Sequence, residues 1–163
     1  MTPTLKEVPP RKLIGLWLEM SLGNDRTPEL WRNFMPRRRE IGNSLTTDLI
    51  SMQVYEPGFD IRNLTMDTRF RKWAAVEVSD FEVVPEGMET FELPGGLYAV
   101  FPHRGAAQTG PAAFRYIFGT WLPASGFVPD DRPQFELLGE KYKNNDPESE
   151  EEIWIPVRPK PGR

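Results

Sequence analysis

Hydrophobic positions along this chain fall into short alternating runs, interrupted by prolines and glycines and by two stripes of helical spacing. Residues 12–22 (KLIGLWLEMSL) set Ile14, Leu16, Leu18 and Met20 against Leu13, Gly15, Trp17 and Glu19. Both sets are largely apolar, which predicts a strand covered on both faces. After a turn at 24–26, Thr27-Pro28 predicts a helix start, with a hydroxyl at the cap and proline at the first helical position. Trp31, Phe34 and Met35, continued by Arg38 and Ile41, follow the helical period. Pro36 inside this stripe should kink or shorten the helix, and Gly42-Asn43 should stop it. Residues 47–55 (TDLISMQVY) and 72–79 (KWAAVEVS) predict two more strands, with a loop over 56–70 between them.

The same order then recurs. Residues 87–103 predict a strand with Pro94-Gly95-Gly96 as a bulge or hairpin turn in its middle. Pro111 opens a second helix, on which Phe114, Ile117, Phe118 and Trp121 form the cleanest apolar stripe in the chain. Pro123 and Ser125-Gly126 end it. Residues 134–143 (QFELLGEKYK) and 151–157 (EEIWIPV) predict a final pair of strands across an acidic turn at 144–150. Residues 1–11 read as a Pro-rich lead-in and 158–163 as a tail. The pattern is strand–helix–strand–strand, twice, over about 12–80 and about 87–158, within one α+β domain spanning 1–163.

Composition narrows the chemistry. Seventeen prolines in 163 residues are about twice the usual ~5%, which suits many short elements and excludes a long helical bundle. Cysteine is absent, so disulfides, thiolate catalysis and iron–sulfur clusters are excluded. His103 is the only histidine. It lies in the turn PHRG with no nucleophile or carboxylate patterned beside it, so no catalytic role and no metal site is expected of it. No cofactor is expected either, because Gly95-Gly96 and Gly105 do not make a phosphate loop. A net charge of −4 argues against direct DNA binding. Arg37-Arg38-Arg39 reads as a basic helix end favoured by the macrodipole, and 146–152 (DPESEEE) as a solvated acidic loop. No apolar run reaches the ~18 residues of a membrane span. No secretory signal precedes Pro10, so a cytoplasmic protein without membrane contact is expected.

One strand carries the candidate chemistry. With a period of two over 135–142, Glu136, Leu138, Glu140 and Tyr142 share a face. The partner strand offers Trp154 between Ile153 and Ile155, and the short turn lets Trp154 lie near Glu140. The stripe ending at Trp121 packs on the same sheet. Trp121 and Trp154 also read simply as core, and Glu140 as a solvated strand residue. A carboxylate among rings is costly to ionise unless paired, so its pKa should rise. A lipophilic cation restores the pairing and gains ~0.5–2 kcal/mol per good ring contact.

Three stretches together resemble a known family: KLIGLWLEMSL leading to TPELWRNF, ELPGGLYAVFPHRG at 92–105, and FRYIFGTWLPASG through FELLGEKY to EEIWIPV. They are similar to the GyrI-like, or AraC-type effector-binding, small-molecule domains. The resemblance implies two βαββ repeats related by a pseudo-twofold, with an antiparallel sheet, two helices and an aromatic-lined cleft between the repeats. It implies a binding protein for lipophilic, cationic aromatic compounds, linked to multidrug sensing or transcription regulation. It matches Glu140 to the family's counter-charge, Tyr142 and Trp154 to wall positions, and leaves Glu136 as the second choice. Tyr98, just after the Gly-Gly bend, is a further candidate for the cleft wall. Few residues precede the first strand, so a stand-alone member without a DNA-binding head is expected. The resemblance leaves open a hydrolase of electrophilic cyclopropane-containing toxins with Glu140 as base. A gyrase-inhibitor-type interaction protein and a homodimer also stay open.

Overall fold

The computed structural model describes residues 2–105, 110–143 and 146–162. Its elements are β1 (Thr4–Val8), β2 (Arg11–Met20), α1 (Thr27–Phe34), β3 (Leu49–Val54), β4 (Phe70–Val78), β5 (Glu89–Leu93), β6 (Gly96–Arg104), α2 (Gly110–Tyr116), α3 (Leu122–Ala124), β7 (Phe127–Pro129), β8 (Gln134–Leu138) and β9 (Glu150–Pro159). The fold is α+β, an open antiparallel sheet with two helical segments on it. The strand order is β1-β6-β9-β8-β3-β4-β2-β5, with β7 added to β9 off this path. Exchanging β1 with β5, β2 with β6, β3 with β8 and β4 with β9 reverses this order into itself. The pseudo-twofold therefore runs between β3 and β8, the two strands at the centre.

Several local expectations shift. The Pro-rich lead-in contains β1, which pairs with β6. The helix at Thr27 is regular only to Phe34 and continues as a 3-10 turn over Met35–Glu40, because Pro36 cannot donate into an α ladder. Thr27 is the first helical residue rather than the cap; the cap position is Arg26, which makes no side-chain cap hydrogen bond, and the Thr27 N–H donates to Asp25 Oδ1 at 3.0 Å. The second helical segment carries a π turn over Ile117–Trp121 between α2 and α3. Pro94-Gly95-Gly96 is neither a bulge nor a hairpin turn, since β5 and β6 do not pair. Pro94-Gly95 links β5 to β6, just as Pro9-Pro10 links β1 to β2. Each link has two residues and reaches at most ~10 Å, yet each joins strands near opposite ends of the path. The sheet must therefore curl until its two ends converge. The two links touch: a Cβ on Gly95 would sit 2.5 Å from the Val8 carbonyl oxygen.

That curl explains how one sheet buries both faces. On the inner face, Leu13, Ile50, Met52, Trp73, Leu93, Tyr98, Phe135 and Trp154 form a core with no helix over it. On the outer face, α1 packs Leu30 and Phe34 on Ile14, Ala74 and Val76. The second helical segment packs Ala113, Ile117 and Leu122 on Ala99, Phe101, Ile153 and Ile155. The central strands β3 and β8 run between these two helix-backed clusters. Among the described residues, no helix is long and apolar enough to cross a membrane.

Candidate functional site

Strand parity puts Ser51 and Gln53 of β3, Gln134 and Glu136 of β8, Lys72 of β4, and His103 and Glu151 of β6 and β9 on the outer face. Ser51 pairs with Glu136 and Gln53 with Gln134. Gln53 also pairs with Lys72, and His103 with Glu151. A polar seam thus crosses the sheet between two apolar clusters. Ser51, Gln53, Lys72, His103 and Gln134 are all buried, and the Glu151 side chain is only 12% exposed.

Two carboxylates meet in this seam. Glu136 and Glu151 lie on the adjacent strands β8 and β9. Burial, and after it the charge and hydrogen bond of Glu136, push Glu151 from its ordinary 4.5 up to about 8, with Lys72 opposing. Glu151 therefore keeps its proton near neutrality. His103 Nδ1 lies 3.1 Å from Glu151 Oε1. Tyr142 stands against the same acids: burial first, then Glu151 and Glu136, raise its pKa.

A cleft of about 430 Å³ opens at one end of the seam. It is lined from both faces, by Tyr55, Gln134 and Ile155 of the outer face and by Val54, Phe91 and Pro156 of the inner face, with Phe59 and Arg132 beside them. Gln134 belongs to both cleft and seam, and Glu136 is the next residue in its row. The Tyr55 ring stacks on Phe59 at 5.3 Å, and burial raises its hydroxyl pKa strongly. Among the described residues, no group of three or more acidic or histidine side chains could hold a metal ion.

The structure redistributes the residues expected from sequence. β8 ends at Leu138, and Glu140 and Lys141 form an exposed turn closed by the Tyr142 N–H on the Gly139 carbonyl oxygen at 3.1 Å. The period-two argument therefore fails beyond Leu138. Glu140 has no enclosing rings, so neither the counter-charge nor the base expected of it has a hollow to act in. Glu136, the second choice, is half-buried in the seam, and Tyr142 approaches it from the turn. Trp154 does not approach Glu140; it pairs with Phe135 and Val100 on the inner face. Its ring stacks on Phe135 at 5.1 Å, and Tyr98 meets it edge-on at 5.6 Å. The chain's own cations lie on these rings: Arg11 is 4.8 Å from Trp154, and Arg132 is 4.7 Å from Tyr98. The inner aromatic wall is thus packed and self-capped. Trp121 packs edge-on against Phe101 at 5.1 Å and stacks on Phe127 at 6.3 Å, within the second helical cluster.

Glu151 was missed. It stood at the start of the strand expected over 151–157 and also in the acidic run 146–152 that read as solvated, and no site role was expected of it; the strand is Glu150–Pro159. His103, read as a turn residue, is on β6 beside it. The signal available was parity: Glu151 alternates with Glu152 ahead of Ile153 and Ile155, so one of the two acids must share the outer, apolar face. Glu152 takes the inner face, where Trp154 Nε1–H donates to its Oε1 at 3.1 Å.

Replacing Glu151 with glutamine should stabilise the fold, and increasingly so as pH rises. A folded-state pKa above the ordinary value means the native state binds more protons between pH 4.5 and about 8. Stability is therefore lost as pH rises through that window, at ~1.4 kcal/mol per unit for one group. Glu151→Gln removes the penalty while its amide can still bond Glu136. Thermal melts should show the variant several degrees above wild type at pH 8.5 and close to it at pH 4.5. A constant difference across pH would contradict the assignment.

The fold and site define a class: a small α+β domain that could hold an organic molecule between two helix-backed halves. The family model described as the GyrI-like small molecule binding domain matches residues 1–158, and the chain belongs to this family. It is 28% identical over 158 residues to the transcriptional regulator BrlR of Pseudomonas aeruginosa, covering 96% of this chain and 56% of that protein. The chain thus spans about half the length of that regulator. Among solved structures, SAV2435 bound to tetraphenylphosphonium superposes with a TM-score of 0.69 at 16% identity, covering 97% of this chain and 94% of that one. The EcmrR C-terminal domain superposes with a TM-score of 0.71 at 17% identity, covering 98% of each.

Proposed function

We propose that this GyrI-like small-molecule binding domain is a receptor for lipophilic, cationic aromatic compounds, serving the sensing of multiple drugs in transcription regulation. The ligand is held over the outer seam at Glu136 and Glu151. The observation that carries this reading is the meeting of Glu136 and Glu151 in the polar seam between two apolar clusters, where burial and Glu136 push Glu151 up to about 8. Lys72 offsets part of the charge, but burial outweighs it, so ionising both acids in this apolar setting stays costly until a further cation replaces the proton. A large, weakly hydrated organic cation gives up little solvation on entry, and the aromatic cleft beside the seam can receive its apolar bulk. Tetraphenylphosphonium, the ligand of one structural neighbour, is such a cation and serves as the probe.

The test is quenching of tryptophan emission by tetraphenylphosphonium, with calorimetry alongside. Glu136→Gln should weaken binding at least ~10-fold, about 1.4 kcal/mol. Glu140→Gln, changing an exposed turn, should stay within about twofold. Equal affinity in wild type and Glu136→Gln would overturn the proposal, and so would a loss in Glu140→Gln as large as in Glu136→Gln.

A further inference from the structure

The seam contains a polar atom that its own architecture does not explain. Gln53 is 8% exposed, and its side-chain oxygen Oε1 has no hydrogen-bond partner among the described residues. Buried carbonyl oxygens are almost always paired, and leaving one unpaired costs enough to need a reason. The neighbours on its face do not supply one. Gln53 stands directly across from Gln134 on β8 and from Lys72 on β4, and no hydrogen bond forms to Oε1 from either. Glu136 is its diagonal neighbour, since Ser51, two residues back on β3, pairs with Glu136. Diagonal positions of an antiparallel pair are ~7–8 Å apart. One nitrogen lying between the two side chains can therefore reach both. Tyr55 and Gln134, the next residues in the same two rows, line the neighbouring cleft.

We propose that Gln53 is a specificity determinant that selects cations bearing an N–H. This rests on the reading of the seam as a cation site. Glu136 supplies the charge and the Gln53 oxygen accepts a hydrogen bond from the same ammonium. Protonated amines and amidines satisfy both groups. Quaternary ammonium and phosphonium ions satisfy the acid but leave the oxygen buried and unpaired, so they bind less tightly without being excluded.

The test uses two cations of similar shape, dibenzylammonium, which has two N–H bonds at pH 7, and dimethyldibenzylammonium, which has none. Wild type should prefer the first by about tenfold, the cost of one unpaired acceptor. Gln53→Met keeps the volume and removes the acceptor. It should bring the two affinities within about twofold of each other, through a loss for the N–H cation rather than for both. It should also melt at or above the wild-type temperature, because it removes an unpaired buried acceptor. Equal affinities in wild type, a preference that survives Gln53→Met, or a large fall in melting temperature in that variant would each overturn the proposal. Glu136→Gln is run in parallel. If it weakens the quaternary cation, the cation site stands even where the N–H preference fails. If neither cation binds wild type, the site and the preference fall together.

Discussion

The affinity for a permanent cation such as tetraphenylphosphonium should climb by up to about tenfold per pH unit between pH 6 and 8, and level off above. The ligand itself does not titrate, so the slope belongs to the protein. Glu151 holds its proton up to about pH 8 because burial and Glu136 oppose its ionisation. A cation bound there favours the ionised pair and must displace that proton, so free protons compete with it. The other groups facing Glu151 are Glu136 on β8, Lys72 on β4, His103 on β6 and Tyr142 on the turn. Glu151→Gln should flatten most of the slope. Calorimetry in two buffers of different ionisation enthalpy should also register proton release on binding at pH 7. A wild-type affinity that does not change with pH would remove the Glu151 proton from the binding event.

The largest effect on stability should come from Gly15→Ala. Gly15 sits in mid-strand on β2, paired with Ala75 of β4 on one side and Glu89 of β5 on the other. A Cβ there would lie 2.1 Å from the Ala74 carbonyl oxygen and 2.7 Å from Ala75 Cα. Those are backbone atoms of the β2–β4 ladder and cannot swing aside as a side-chain tip can. The strand pair must part or the ladder must shift, a case beyond the ordinary ~1–3 kcal/mol of overpacking. We expect a loss above ~3 kcal/mol, a fall of roughly 10 °C in Tm, or failure to fold. Gly42→Ala is the control, since a Cβ there meets nothing within 4 Å. A melting temperature for Gly15→Ala within two or three degrees of wild type would contradict the packing described for β2.

Much of the architecture could be read from the alternation and the two stripes. Leu13 and Trp17 against Ile14, Leu16 and Leu18 announced a strand buried on both faces, and the inner and outer clusters divide these residues in that way. Phe114, Ile117, Phe118 and Trp121 announced a helix, and their cluster lies beneath it. The repeat of element order foretold the symmetric strand path. These features depend on the local period of side chains, and neighbours in sequence fix that period.

The site depended on where a strand stops. Extending β8 by four residues would give Glu140 and Tyr142 the parity of Glu136; stopping it at Leu138 sends Glu140 into solvent and leaves Tyr142 to return from a turn. Nothing local marks that end strongly, because Gly139 is tolerated in strands and in turns alike. The pairing of β8 and β9 decides it. That pairing also lifts Glu151 out of an acidic run and sets it against Glu136.

By itself, then, the chain determined which residues alternate, which lie on helices and that a carboxylate would meet apolar surroundings. The tertiary structure decided which carboxylates these are, and that the aromatic wall around Trp154 and Tyr98 is filled from within by Arg11 and Arg132. The reason is one of range. Amphipathic periods arise from residues a few positions apart, whereas the pKa of Glu151 and the unpaired oxygen of Gln53 arise from strands that meet only after the sheet has curled and the two halves have paired across β3 and β8.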